Sequence, residues 1–441
     1  MMKRIFWLLG LLIGAAVIIV YVLPPYIPVP TLIPCERDLA VSAGLLTAPP
    51  TDIDNIDSVI PLGNLNPGGM HVLSVDHMYL TYPRPLRGGL SSYPVHNMAD
   101  GELFMLFRQQ VPGRPDFDYQ LFVEHSCSVH SYFDHLHGLS PAIDTHLTTH
   151  SAAWLDLGGS GSGPWLMFLG QRGGPPKLSL AAGDQLGITK DYSNAWDIGI
   201  VDTRYVNGVF ANMAPNRYPT YSDYAPLFPV LSGVDLSIYN TGNKMFNGAC
   251  FIDYMDSSTG LQSAWRAKLD STTASCGIIG WDKPGKLRGA WFNPVLDALP
   301  TVVMDYEAAA LSIIPLNRNS DQVQIGIGNA AGGSTTPSLA LLDPSTWTPP
   351  VSAPQIANPF RVNMDRSLVA VVNPDPENIG PGTTVCYDLS HAGGYDTLLL
   401  RMADATHLDV KYDPATRSTP QCAALSASFP PVDATWKAYI R

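Results

Sequence analysis

The sequence predicts a mainly all-β protein placed behind a single N-terminal transmembrane helix. Three observations predict this. Residues 5–23 form an unbroken apolar run that follows Lys3 and Arg4. From residue 63 onward, short β-prone runs alternate with clusters of Gly, Pro, Asn and Asp, the pattern of sheet-forming chains rather than of βαβ units. The six cysteines are even in number and contain no C-x-x-C pair, which suits an oxidising compartment and leaves zinc ribbons and thioredoxin-type redox sites unsupported.

At about 1.5 Å per residue, residues 5–23 nearly match the roughly 30 Å of a bilayer core. The basic pair before them belongs on the cytoplasmic side, so the chain from Pro24 onward is expected outside the cytoplasm. A cleaved signal peptide is the alternative, but no small-x-small site follows the apolar run. Gly10 and Gly14 have the spacing of a helix-dimer motif, a spacing also common in such helices without that role. Pro24, Pro25, Pro28, Pro30 and Pro34 favour extended polyproline geometry, so residues 24–62 read as a stiff stalk followed by a polar approach. Proximity favours pairing Cys250 with Cys276 and Cys386 with Cys422, leaving Cys35 for Cys127. The net charge of −12 and the absence of a basic run after Arg4 argue against nucleic acid and anionic lipid headgroups as partners.

Two β-rich regions follow the stalk. Over residues 63–204, strands are predicted at 103–108, 119–124, 129–133, 165–170, 178–181 and 198–202, with a Gly/Ser-rich loop at 158–163. Residues 205–224, rich in Tyr, Asn and Pro, mark a soft boundary. Over 205–441 a short helix is predicted at 261–269. Further strands are predicted at 323–328, 339–342, 368–372, 384–387, 397–401 and 408–412, with a sandwich as the candidate arrangement.

Nine of the eleven histidines fall between His71 and His150. Imidazole ligates zinc and handles protons near neutral pH, so the concentration points to metal or acid–base chemistry. The competing reading is that each ring is an ordinary hydrogen-bonded group. His71, Asp76 and His77 lie close in sequence and would meet one metal if the loop turns between them. His125 ends a strand-like run. His135 and His137 form a His-x-His which, on an extended strand, would point both rings the same way.

Four segments, in order, resemble the lysostaphin-type murein metalloendopeptidases, whose β-domain is the duplicated hybrid motif. Residues 94–103, Pro-Val-His-Asn-Met-Ala-Asp-Gly-Glu-Leu, are similar to that family's Pro-Val-x-Ala-x-x-Asp-Gly-x-Val hairpin. Phe122-Val123-Glu124-His125 resembles its strand ending in His, and Tyr132-Phe133-Asp134-His135-Leu136 resembles its Tyr-x-His-Leu signature. Residues 183–189, Gly-Asp-Gln-Leu-Gly-Ile-Thr, resemble its Gly-x-x-Ile-Gly-x-Thr turn. The resemblance covers about a third of the chain. It implies a zinc ion held by the His and Asp of a His-x-x-x-Asp segment and by a later His-Leu-His strand, with further histidines assisting. Carried over by position, Asp76 matches the Asp ligand and His135 an assisting histidine.

The chain departs from the family in two places. Four residues rather than three separate His71 from Asp76. Where the last metal-binding strand should stand, the chain has Trp196-Asp197-Ile198-Gly199-Ile200-Val201-Asp202, with Asp197 and Gly199 in place of the histidines. Either Asp197 or Asp202 takes over as a ligand, or the zinc site is lost.

Three readings are therefore expected, the third being a surface-assembly subunit whose histidines serve only structure. The first is a binding or scaffolding protein at the cell envelope, on a degenerate peptidase-like domain, with peptidoglycan or another envelope polymer or protein as partner. The alternative is an active zinc endopeptidase with Asp76, His71 or His77, and Asp197 or Asp202 as ligands, and His135 or His125 moving protons. Residues 205–441 contain no motif that assigns a function. Trp265, Trp281, Trp291 and Trp347 suit either sugar stacking or packing.

Overall fold

The computed structural model describes residues 44–65, 71–83, 92–110, 116–151, 154–156, 165–170, 177–190, 195–214, 217–218, 244–273, 275–298, 306–328, 362–365, 375–391, 394–419, 421–425, 428–433 and 435–441. The expected membrane helix and proline stalk lie outside these residues, as do Cys35, the Gly/Ser loop, Trp347 and the strands expected at 339–342 and 368–372. Among the described residues no helix is long and apolar enough to cross a membrane.

The structure is mostly β. The first strands in chain order are β1 (Ser58–Ile60), β2 (Met78–Thr81), β3 (Ser92–His96), β4 (Gly101–Gln110), β5 (Phe117–Glu124) and β6 (Val129–Leu136). They are followed by β7 (Gly138–Leu139), β8 (Trp154–Asp156), β9 (Trp165–Leu169), β10 (Leu178–Leu180), β11 (Gln185–Lys190) and β12 (Ala195–Asp202). After these come β13 (Gly208–Val209), β14 (Gly248–Ala249) and β15 (Gly280–Trp281). The large sheet runs β1-β2-β12-β6-β5-β4-β9-β8, with β10 on β4 and β14 on β12, and its neighbours are antiparallel. A second sheet, β3-β11-β7, lies beside it. The segment expected as a turn at 183–189 thus contributes most of a strand, β11, entered through Gly183 at φ +86°.

Alternation along β12 fixes where the site falls. Trp196, Ile198 and Ile200 are fully buried in the main core beside Phe133, Leu121 and Leu106. Burying each side chain stabilises by about 1.5–3 kcal/mol, which pins the register. Asp197 and Gly199 must then face the other side, opposite Asp134 and Tyr132 of β6. The helix α1 (Pro141–Thr149) starts where Ser140 Oγ accepts from the Ile143 N–H and Pro141 occupies the first turn, a start signal legible in Ser-Pro.

Eight further strands form one antiparallel sheet: β16 (Gly289–Phe292), β17 (Ala310–Leu316), β18 (Asn319–Ile327), β19 (Val362–Asp365), β20 (Thr383–His391), β21 (Gly394–Met402), β22 (His407–Arg417) and β23 (Lys437–Ile440). Their order is β19-β18-β17-β16-β23-β22-β21-β20, so among the described residues this region is a single sheet rather than two facing ones. Its core centres on Trp291, Tyr387 and Tyr439. The first core does not end near residue 204: it continues through Met245, Phe251, Trp265 and Phe292 to Ala310. The short helix expected near Trp265 forms as α3 (Leu261–Arg266), after α2 (Lys244–Asn247). Trp265 and Trp291 are fully buried, so neither is free to stack on a sugar. Two of the disulfides are Cys250–Cys276 and Cys386–Cys422, and Cys127 is also disulfide-bonded.

Candidate functional site

The face of β12 opposite the main core carries a cluster of acids and imidazoles. Asp197 lies across from Asp134 of β6 and Tyr79 of β2, and the loop entering β2 delivers Asp76 and His77 beside it. His77 Nδ1 donates to Asp76 Oδ1 at 2.8 Å, while its Nε2 stands 3.3 Å from Asp197 Oδ2. That Nε2 is buried and makes no hydrogen bond among the described residues. His135 mirrors the arrangement: Nδ1 donates to Asp118 Oδ2 at 2.9 Å, and Nε2 stands 3.5 Å from the same Asp197 oxygen. A chain of contacts therefore runs Asp76, His77, Asp197, His135, Asp118.

Backbone geometry aims the second ring. His135 has φ +62°, the left-handed region that a non-glycine residue enters at a cost. Asp134 Oδ1 accepts the His135 N–H at 2.9 Å and holds the turn. Strand alternation is broken at this point, so His135 and His137 do not share a site. His137 instead joins β11, its N–H donating to the Ile188 carbonyl and its Nδ1 accepting from the Lys190 N–H.

Asp76 has further company. Tyr132 donates its hydroxyl to Asp76 Oδ1 at 3.2 Å, and Lys244 Nζ stands 3.6 Å from Asp76 Oδ2 and 4.3 Å from the Tyr132 ring centre. Tyr132 also covers Gly199: a Cβ there would lie 2.1 Å from the tyrosine ring. His71, half-buried at the rim, has its ring centre 5.3 Å from that of His77 and its Nδ1 3.5 Å from Glu307 Oε1.

The electrostatics follow from this crowding. Burial opposes charge on Asp76, but Lys244 and His77 outweigh it and hold the carboxyl below its usual range. Asp197 is likewise lowered against burial, by His77 and His135. Burial, together with Asp197 and Asp118, raises Asp134. Burial also opposes charge on His135, yet its bonds to Asp118 and Asp197 push it up to about 12. His71 is raised by Glu307 despite its own desolvation. A histidine held as a cation is a poor general base.

Two candidates stand apart from the cluster. His125 is buried with Ser131 and the Asp100 carbonyl, its Nε2 2.8 Å from Ser131 Oγ and its Nδ1 3.1 Å from the oxygen. Burial lowers it to about 4, so it is a neutral, satisfied ring. Asp202 lies five residues along β12 from Asp197, about 16 Å at 3.3 Å per residue. There its Oδ2 accepts from Arg204 and from the Tyr254 hydroxyl, each at 2.6 Å, and its Oδ1 accepts from Arg204 Nε at 2.8 Å. These bonds occupy the oxygens that ligation would need.

No protein-family model, curated protein or solved structure matches this chain. The zinc implied by the resemblance must therefore be tested on the residues alone. At the position carried over from the family, the donor set fails: Gly199 offers no ligand, Tyr132 fills the space above it, and Lys244 supplies a cation beside Asp76. An ammonium and a divalent ion would repel one another there.

Sequence reasoning gave no role to Asp118, Asp134, Tyr132, Lys244 or Glu307. Asp134 and Tyr132 stood inside the quoted Tyr-x-His-Leu segment and were within reach. Lys244 and Glu307 lie in stretches without a pattern, and only the fold brings them to the site.

Proposed function

We propose that the chain is a non-hydrolytic binding or scaffolding protein of the cell envelope, with a peptidase-like β-domain over residues 63–204 related to the duplicated hybrid motif. The observation that carries this reading is the occupation of Asp76 by Lys244 and Tyr132. An internal cation and a phenol stand where the resemblance would place a catalytic metal and its third ligand. The disulfides suit an oxidising compartment and support a location outside the cytoplasm, with residues 5–23 as the anchor. Peptidoglycan or another envelope polymer is the partner class. His135, 43 % exposed, and His71, 35 % exposed, lie where such a ligand would reach the cluster.

The test is incubation of the purified full-length chain with isolated cross-linked peptidoglycan. The reading expects the protein to sediment with the polymer and to release no soluble fragments. Release that a chelator abolishes would overturn it in favour of a metal-dependent endopeptidase, the reading favoured by the convergence of His77 and His135 on Asp197. Failure to sediment would remove peptidoglycan as the partner.

A further inference from the structure

We propose that Tyr205, Val206, Val209, Met213 and Ile278 form an apolar face that rests on the surface of a lipid bilayer, the same one that residues 5–23 are read as entering. The proposal rests on that anchoring reading and is independent of any envelope polymer.

These five are the exposed large apolar side chains among the described residues, each 38–52 % exposed. Four fall within residues 205–213, on or beside β13, and the fifth lies on the approach to β15, with which β13 pairs in parallel. A Cβ on Gly208 would lie 2.7 Å from Ile278 Cγ2, so Ile278 adjoins the strand that carries Val206 and Val209. Single exposed apolar residues are ordinary, whereas a group of neighbours marks a surface that something covers.

The backbone beneath this face is tied down. The Asn207 N–H donates to the Phe246 carbonyl at 2.7 Å, the Gly280 N–H to the Asn207 carbonyl at 2.8 Å and the Asp282 N–H to the Val209 carbonyl at 2.9 Å. The Phe210 ring packs on Tyr218 and Phe246, with ring centres 5.5 and 4.8 Å apart. A fixed strand pair therefore presents the apolar side chains to solvent, and covering them costs little further ordering.

Area, charge and chain path together select the occupant. Five partly exposed side chains offer a few hundred Å², short of the roughly 800 Å² per partner that a stable protein interface buries. A net charge of −12 opposes both a second copy of the chain and an anionic surface, but not insertion of apolar groups among zwitterionic headgroups. The described chain begins at Gly44, and two residues later the Leu46 N–H donates to the Tyr254 carbonyl at 2.9 Å. The hydroxyls of Tyr254 and Tyr205 are hydrogen-bonded to each other, so the chain arriving from the expected anchor joins the fold at the residue that supports the patch. Residues 24–43 reach about 70 Å at most, which makes contact with that bilayer an intramolecular event that a small patch can sustain. A tyrosine at its edge suits the headgroup boundary.

The test uses the full-length chain reconstituted in phosphatidylcholine vesicles, with an environment-sensitive fluorophore on Val209→Cys. The control site is Thr145→Cys on an exposed position of α1. It lies away from the patch, because β6 runs from Val129, opposite Asp202, to Leu136 before leading into α1. Lipid spin-labelled near the headgroup is expected to quench the Val209 probe about twofold and leave the Thr145 probe unchanged, since apolar faces sink about 5–10 Å into that boundary. Val206→Asp, at an exposed position, is expected to abolish the quenching while the protein still floats with the vesicles. A chain that floats with the Val209 probe unquenched would overturn the proposal and leave the anchor standing. A chain that does not float would remove the anchor and the proposal with it. A blue-shifted Val209 probe that lipid does not quench and dilution of the protein reverses would assign the face to a second copy, also against the proposal.

Discussion

Replacing Gly199 by alanine tests whether Tyr132 occupies the space of the missing ligand. A glycine-to-alanine change inside a strand ordinarily stabilises by about 0.5–1 kcal/mol, because the unfolded chain loses freedom. Here the new Cβ would lie 2.1, 2.2 and 2.4 Å from Cε1, Cζ and the hydroxyl oxygen of Tyr132. The ring has little room to withdraw: it is 1 % exposed, stacks on Phe122 at 5.6 Å, carries Lys244 over its face and is tied to Asp76 by its hydroxyl. Overpacking of a held ring costs about 1–3 kcal/mol, so Gly199→Ala should destabilise by about 2 kcal/mol, opposite in sign to the usual effect. Urea unfolding reads this directly. With m near 3 kcal/mol per molar, the midpoint should fall by about 0.7 M at unchanged m. In a Tyr132→Ala background the same substitution should cost nothing, giving a coupling of about 2 kcal/mol between the two positions. A wild-type chain made equally or more stable by Gly199→Ala would refute the reasoning.

Three further outcomes are expected. Burial holds His125 down to about 4 and His130 down to about 3, so the unfolded chain, with histidines near 6.5, binds more protons between those values. Their contribution is complete above about pH 6.5 and is lost as pH falls towards the folded values. His125 alone accounts for roughly 3 kcal/mol, and a His125→Gln variant should flatten the dependence of the urea midpoint between pH 7 and 4.5. Lys244→Met leaves the Asp76 carboxylate buried without its cation; a loss of about 2 kcal/mol is expected, visible as a lowered thermal midpoint, and an unchanged midpoint would show that the pair does not stabilise the fold. Removing the Cys250–Cys276 bridge, which closes a loop of 26 residues, should cost about 3 kcal/mol in the same measurement.

What could be read in advance follows from which forces are local. Alternation in Trp196-Asp197-Ile198-Gly199-Ile200 is a period-2 signal, yet the strand expected at 198–202 starts one residue after Asp197, and the structure extends it to Ala195–Asp202 with Asp197 inside it. Asp76, His135 and Asp197 were singled out through the order of short motifs, which records a topology without computing it. The geometry that joins them depends on antiparallel pairing of β12 with both β2 and β6, strands far apart in sequence. Lys244 was invisible because an ion pair between residues so distant leaves no spacing to detect. His137 was misplaced because one left-handed residue, His135, ends the alternation on which the reading rested. His125 sat in a family-like segment, yet its partners, a serine hydroxyl and a carbonyl, make it structural. Of the eight strands of the C-terminal region, β18, β20, β21 and β22 were visible as runs while β16, β17, β19 and β23 were not, and nothing local distinguishes one broad sheet from two facing ones, since that choice is made by long-range pairing.

The most direct test of the account is anomalous diffraction at the zinc edge from crystals of the full-length chain equilibrated with Zn(II). The account predicts no peak bonded to Asp76, with Lys244 still beside that carboxylate. A peak bonded to Asp76 and His71, with Lys244 swung away, would contradict it.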